Sequence, residues 1–450
     1  MKNETTMTKK DKYLLYLLVA GLSILLILRD VNGISINKFI YFGFAVALMA
    51  AANYHTLINM ICFILPLVCG LPGTYIMPCA FALLLVKKGS IKAMQVIPVL
   101  VISLLELFAA LSYPSTDFAA IINYVFFAAV MIFLIQDDSN IDYNRCIMLY
   151  LLGTLLLCYV ILAATFADAP KNWMKMFADG QFRIGDGHVD TGAMTLKVNA
   201  NSLAYYSLVG IACGLLLTEK AKGIKKVWYI ALVVFFAIAG FLTISRSWLL
   251  LTAVCLLLYI LSRLRKPKQF FALFLVLAVV SVLVFCWLEK NPELLAGFET
   301  RFNDETVETG GGRSRIFKRY THIFFSNFRF IIMGTGVTQY KAVADYHGSF
   351  HNGTQQILVS CGIIGFLLYM VVLIPPVLKA RRGKKIPLAY WLPLIGVVAF
   401  TQTIQFLNPT MLMLPYIIGI YALRAGGQEN ENISDNRGHR GGQPVGLEAR

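Results

Sequence analysis

Apolar runs close to twenty residues long recur along this chain, from "YLLYLLVAGLSILLIL" near its start to "GFLLYMVVLIPPVL" in its last quarter. Each is near the length at which an α-helix crosses the hydrocarbon core of a bilayer. The chain therefore reads as an all-α, polytopic integral membrane protein. Composition agrees with this: of 450 residues, 58% are hydrophobic and 14% charged, and the mean hydropathy is +0.68. A soluble chain carries about a quarter charged residues.

The expected spans are 13–28, 37–53, 56–70, 74–86, 94–112, 117–135, 146–167, 201–217, 227–244, 247–262, 269–288, 353–378, 386–406 and 410–424, about 14 in all. The first of them follows a basic start and lacks a small-x-small cleavage site before Arg29, so it is expected to stay as an uncleaved span. Pro66, Pro72 and Pro78 interrupt the stretch 56–86. A formal net charge of +16 raises the question of nucleic acid, but basic residues of membrane proteins collect in cytoplasmic loops. With the N-terminus inside, the Lys/Arg-rich connections "VKKGSIKA", "TEKAKGIKK", "SRLRKPKQ" and "KARRGKK" all fall on the cytoplasmic side. Both termini are then cytoplasmic, and no nucleic-acid partner is called for. The nine cysteines sit in or beside apolar runs, with neither a disulfide framework nor a CxxC metal site.

Two long loops fall on the outer face. The chain divides into an N-terminal bundle (1–167), a first outer loop (168–200), central helices (201–288), a large outer loop (289–350), C-terminal helices (351–425) and a polar tail (426–450) expected to be disordered. The large loop is rich in cations, carrying Arg301, Arg313, Arg315, Lys318, Arg319, Arg329 and Lys341. At 100° per residue, positions 313–329 put Ile316, Phe317, Tyr320, Ile323, Phe324 and Phe328 on one face, and Arg315, Lys318, Arg319, His322, Ser326 and Arg329 on the other. An amphipathic helix of that kind lies on a membrane or caps a bundle. Arg313, just after a glycine run, falls on the apolar side, where a guanidinium suits a buried anion.

Two further residues stand out. Arg246 in "FLTISRSWLLLT" lies in a tight outer hairpin, and arginine near membrane depth is costly and usually paired or functional. His351 opens the last long apolar run; Ser349 is expected to cap that helix and put His351 in its first turn, where the helix dipole disfavours a second proton on imidazole. A neutral histidine is the form a general base needs. Gly362 and Gly365, three apart on one helical face, allow close helix packing. Glu106 is the one carboxylate well inside an expected span, and reads as a structural partner with no catalytic role. The arrangement describes an outward-facing cavity with arginines for a phosphate-type anion, through paired hydrogen bonds, and one base.

These residues resemble the O-antigen ligase and Wzy-type polysaccharide polymerase superfamily. "NANSLAYY" is similar to its Asn-x-x-Ala opening of a span (Asn201, Ala204), and "SRSWLLL" to its Ser-Arg hairpin at Arg246. "GGRSRIF…NFRFIIMGTG" is similar to its Gly-Arg-x-x-x-aromatic stretch ending in Gly-x-Gly (Arg313, Phe317, Gly334, Gly336), and "HNGTQQILVSCGIIG" to its His-Asn motif. The likeness covers roughly 199–366. Ser360 stands where relatives often carry an acidic residue, two places before the first motif glycine.

The resemblance implies a GT-C-like fold and a metal-independent, inverting glycosyltransferase of the bacterial cytoplasmic membrane, with its active site facing outward and no cofactor. Its donor would be a glycan on undecaprenyl diphosphate, with Arg246 and Arg313 on the diphosphate and His351 on the acceptor hydroxyl. Arg183, Arg315 and Asn352 are further candidates for substrate contact. Membrane lipid, a flippase and a chain-length regulator are the other partners implied. A polymerase of lipid-linked repeat units is the leading expectation, and a ligase with the same donor the alternative. A flippase or other transporter fits less well, because transporters place ionisable groups near the bilayer midplane and often repeat internally.

Overall fold

The computed structural model describes residues 7–71, 73–112, 117–139, 141–167, 171–179, 183–185, 198–263, 313–345, 348–407 and 413–440, with scattered positions between 271 and 299. The span expected at 269–288 and the stretch 301–312, with Arg301, lie largely outside them. All regular structure among the described residues is helical. The N-terminal part comprises α1 (Lys9–Asp30), α2 (Lys38–Ala51), α3 (Tyr54–Ile64), α4 (Gly73–Lys88), α5 (Ala93–Ala110), α6 (Phe118–Ile135) and α7 (Tyr143–Ala167). A short α8 (Trp173–Ala178) follows, then α9 (Ala200–Lys220), α10 (Ile224–Phe241) and α11 (Arg246–Arg263). The loop helices are α12 (Arg313–Ser326), α13 (Phe328–Met333) and α14 (Tyr340–Ala344); α15 (Gly353–Arg381), α16 (Leu392–Thr401) and α17 (Tyr416–Arg440) complete the chain.

Eight described helices are long and apolar enough to cross a membrane, and three shorter apolar stretches accompany them. The polytopic all-α reading stands on these. Proline shapes the region 56–86 less than expected: Pro66 sits in a 3-10 turn at Leu65–Leu67 after α3, whereas Pro78 is carried inside α4. The last helix keeps helical backbone to Arg440, through part of the tail expected to be disordered.

The central element is α9, whose apolar window is 94% buried. Its close packing comes from small residues. A Cβ on Gly210 would meet the Phe236 ring at 3.0 Å, and one on Gly214 would meet Val233 at 2.6 Å. Glycines four apart let α10 approach along one stripe, the way membrane helices pack without a hydrophobic driving force between them. Ser207, one turn earlier, donates to the Phe236 carbonyl at 2.5 Å and accepts from Trp248 Nε1 at 3.2 Å. Trp248 in turn lies on Gly240, where a Cβ would overlap its indole. Helices α9, α10 and α11 are thus locked around one serine.

The described parts of the four basic connections gather at one end of the bundle. Lys92 and Lys379 share Asp138, Lys88 pairs with Asp137 at 2.6 Å, Arg263 pairs with Glu219, and Lys220 sits 5.0 Å above the Tyr390 ring. The opposite end holds the start of α15, the α10–α11 hairpin and the loop helices.

Candidate functional site

At that opposite end the chain passes from Phe350 through His351 into α15, and several elements fix this passage. The helix starts three residues later than Ser349 capping would give. Asn352, with extended backbone, is the cap, and its side-chain oxygen accepts from the Gln355 amide at 2.8 Å. His351 therefore precedes the cap and is not in the first turn. Its surroundings, and not the helix dipole alone, set its protonation.

On one side lies α12. Ile316, Tyr320 and Ile323 form its buried face, as periodicity predicts, but Phe317 and Phe328 remain 50% and 77% exposed. The helix also ends at Ser326, because Asn327 caps a separate α13. Two contacts tie α12 to the start of α15. Gln355 Nε2 donates to the Phe317 carbonyl at 2.7 Å and to Thr321 Oγ1 at 3.0 Å. Tyr320 stacks on Phe350 with ring centroids 4.0 Å apart, and its hydroxyl donates to the Gly348 carbonyl. These hold Arg313, the first residue of α12, near His351.

On the other side lies the loop after α16. Gln356 Oε1 accepts from the amides of both Phe406 and Leu407 at 2.8 Å, and Thr354 shares a 2.9 Å hydrogen bond with Gln402. Gly353 lets the Thr401 carbonyl come close, since a Cβ there would meet it at 2.8 Å.

Beneath the site, α15 is broken at Gly362, whose backbone (φ 65°, ψ −170°) is not helical. The expected stripe of Gly362 and Gly365 on one continuous face is thus corrected: Gly362 interrupts the helix. A break inside a buried, apolar helix frees carbonyls that must find donors. The "MGTG" segment supplies them, with the Thr335 amide donating to Val359 O at 2.9 Å and the Gly336 amide to Ser360 O at 2.8 Å. A Cβ on Gly334 would lie 2.2 Å from Ser360 O, and one on Gly362 would lie 2.3 Å from Ile332 O. Only glycine permits the two backbones to meet. The next amide, of Val337, donates to both Glu106 oxygens at 3.0 and 3.1 Å. Glu106 is a structural partner, of a backbone amide.

Arg246 is the first residue of α11. The hairpin before it is strained, for the buried Ile244 adopts φ 49°, a left-handed conformation that is unfavourable for a β-branched residue and gathers at functional sites. The C-terminal end of α11 is at the basic end, where Arg263 meets Glu219, so Arg246 lies at the same end of the bundle as His351. Arg183 joins it there, its Nε donating to the Thr243 carbonyl at 3.0 Å, three residues before Arg246. Arg315, by contrast, is exposed on α12, about 200° around the helix from Arg313. The Asn352 oxygen is committed to the helix cap.

The electrostatics favour a neutral imidazole. Burial, and then the nearby Arg313 guanidinium, push the His351 pKa below its usual value of 6.5, while a backbone hydrogen bond at Thr403 opposes them. Nδ1 of His351 is buried and has no hydrogen-bond partner among the described residues. A neutral imidazole beside a guanidinium is in the form that can accept a proton.

Gln355, Gln356 and the 401–407 loop assemble this site, yet nothing in their spacing marks them. They are uncharged, and their partners are backbone groups distant in sequence. The run "TQTIQF" at 401–406, polar within an expected span, was the available hint.

Residues 231–370 match a protein-family model described as O-Antigen ligase. The match includes Arg246, Arg313 and His351, and leaves Arg183 outside. No curated protein matches the chain.

Proposed function

We propose, on the match of residues 231–370 to the O-antigen ligase family, that this chain is a glycosyltransferase of the O-antigen ligase and Wzy-type superfamily that polymerises undecaprenyl-diphosphate-linked oligosaccharide repeat units into surface polysaccharide. The placement of Arg313 against His351 is the observation that carries this reading. In the proposed step, a hydroxyl of the acceptor glycan attacks the anomeric carbon of the donor from the face opposite the diphosphate. A new glycosidic C–O bond forms as the bond to diphosphate breaks, so the anomeric configuration inverts. His351 takes the hydroxyl proton, and undecaprenyl diphosphate leaves with the bonding electrons. Arg313 and Arg246 stabilise the charge that develops on the leaving group, an effect that grows in a water-poor site. Arg183 supports the hairpin that carries Arg246.

In this reading the guanidiniums take the place that a divalent cation holds on the diphosphate of many glycosyl donors, and activity survives chelation. The site faces outward from the cytoplasmic membrane, with the basic end inside, in keeping with the positive-inside rule. A flippase and a chain-length regulator would work beside it. Ligation is the second reading, favoured by the description of the matching family. It needs the same donor chemistry and differs only in the acceptor, a lipid A core or a protein.

The test supplies purified full-length protein with lipid-linked repeat units in the presence of a chelator. Elongated lipid-linked chains support polymerisation. Transfer only after a lipid A core or protein acceptor is added would favour ligation. Movement of intact substrate across vesicles without any joining would point to a transporter.

A further inference from the structure

At the end of the bundle opposite His351, a groove of about 900 Å³ opens between the start of α5 and the end of α15. Lys92, Lys379, Arg381, Arg382 and Arg424 line it, with Asp138 as the carboxylate among them. Asp138 is shared by Lys92 and Lys379, and Arg424 is held by the carbonyls of Asp137 and Ile135. Arg381 and Arg382 are exposed and have no carboxylate partner among the described residues. One carboxylate among five cations leaves the groove strongly positive.

Its other wall is apolar, formed by Met94, Pro376 and Leu378 among others. From there two exposed apolar stripes lead away toward the bundle's middle. On α5 these are Ile97, Leu100 and Leu104, exposed by 54%, 57% and 64%; on α15 they are Leu378, Ile374 and Val371, exposed by 59%, 45% and 51%. The two helices run antiparallel, so both stripes begin at the cationic groove. From Met94 to Leu104 the helix rises about 15 Å, half the roughly 30 Å hydrocarbon core of a bilayer. A cationic head site joined to exposed apolar stripes one leaflet deep matches the amphipathic build of a phospholipid. A free anion would use only the first half of it.

We propose that this groove seats an anionic phospholipid of the basic-end leaflet, its phosphate against Arg381, Arg382 and Lys92 and an acyl chain along the exposed apolar stripes of α5 and α15. The site is independent of the glycosyl-transfer reading. Attraction of basic residues to anionic headgroups is a general membrane effect, so the test must separate a built site from a diffuse one.

Native mass spectrometry of the purified full-length protein, offered phosphatidylglycerol and phosphatidylcholine together, makes the measurement. The intact chain should retain phosphatidylglycerol over phosphatidylcholine by roughly tenfold. R381Q/R382Q should abolish that preference, and R381K/R382K should keep it. K225Q/K226Q, which neutralises two exposed lysines of the same membrane face outside the groove, should leave it unchanged. Equal loss in R381Q/R382Q and K225Q/K226Q would overturn the site in favour of diffuse attraction. Displacement of the lipid by inorganic phosphate at matched concentration would overturn it in favour of a free-anion site. An intact chain with no preference would overturn it outright.

Discussion

The two ends of the bundle both carry many cations, and the proposed chemistry asks different things of them. At the basic end Lys88 meets Asp137, Lys92 and Lys379 meet Asp138, and Arg263 meets Glu219. At the His351 end the contacts described for several arginines are to neutral oxygens. Arg183 donates to the Thr243 carbonyl, Arg319 to the Ala344 carbonyl at 2.8 Å, and Arg329 to the Ser112 hydroxyl. A carboxylate pair anchors a cation, and a carbonyl contact fixes where a guanidinium sits. The first arrangement suits anchoring and orientation, and the proposed role of the other end is to meet an anionic substrate.

That contrast can be broken most sharply by removing one cation from each end. Arg313→Ala should lower the rate of glycan joining by about 10²–10³-fold, the usual effect of losing one preorganised charge-stabilising donor. Lys379→Ala, at the basic end, should change it less than threefold or so, because exposed ion pairs contribute about 0–1 kcal/mol. Equal losses would mean that the two ends do not differ in role.

The backbone offers the next comparison. Gly362→Ala adds a Cβ 2.3 Å from Ile332 O at a φ of 65°, while Gly383→Ala at the basic end has a similar φ of 69° and nothing within 4 Å. Left-handed strain alone costs roughly 1–2 kcal/mol, so Gly383→Ala should cost only that. Gly362→Ala should cost more and lower the thermal unfolding midpoint in detergent further. Matching midpoints would show that the glycine contact beneath the site is loose.

A smaller effect is expected at Gln355, which clamps α12 to α15 by two hydrogen bonds. Gln355→Leu should destabilise the clamp by roughly 1–3 kcal/mol and slow joining while the bundle stays folded, as judged by an unchanged far-UV spectrum. An unaltered rate would remove Gln355 from the positioning machinery.

The smallest shift concerns protonation. Burial first and Arg313 second lower the His351 pKa, so the imidazole stays neutral at a pH where a solvated histidine is charged. Arg313→Gln removes the second cause and leaves the first. The His351 titration, followed by NMR of the labelled ring, should move upward toward 6.5 without reaching it. A downward movement would contradict the assigned cause.

Sequence and structure agree best where physics acts locally. Span-length apolar runs, the buried face of α12 at Ile316, Tyr320 and Ile323, and the gathering of basic connections at one end follow from periodicity and charge. What stayed hidden depended on contacts between distant segments. The cap at Asn352 instead of Ser349 depends on where α12 pins Phe350. The break at Gly362 reads in sequence as an ordinary packing glycine, because its cause is the "MGTG" backbone some 25 residues upstream. Glu106 was legible as structural, but its partner, the Val337 amide 231 positions away, was not. Arg246, Arg313 and His351 were legible as anomalies of charge in a membrane chain, and the fold brings Arg313 and His351 into electrostatic reach.

The most direct measurement compares wild type and His351→Ala, each purified and supplied with lipid-linked repeat units, by the rate at which longer chains appear. Loss of a general base should slow elongation by about 10²–10⁴-fold in a protein that remains folded in the membrane, with partial rescue by added imidazole. Elongation by His351→Ala at the wild-type rate would contradict the assignment of His351 as the base.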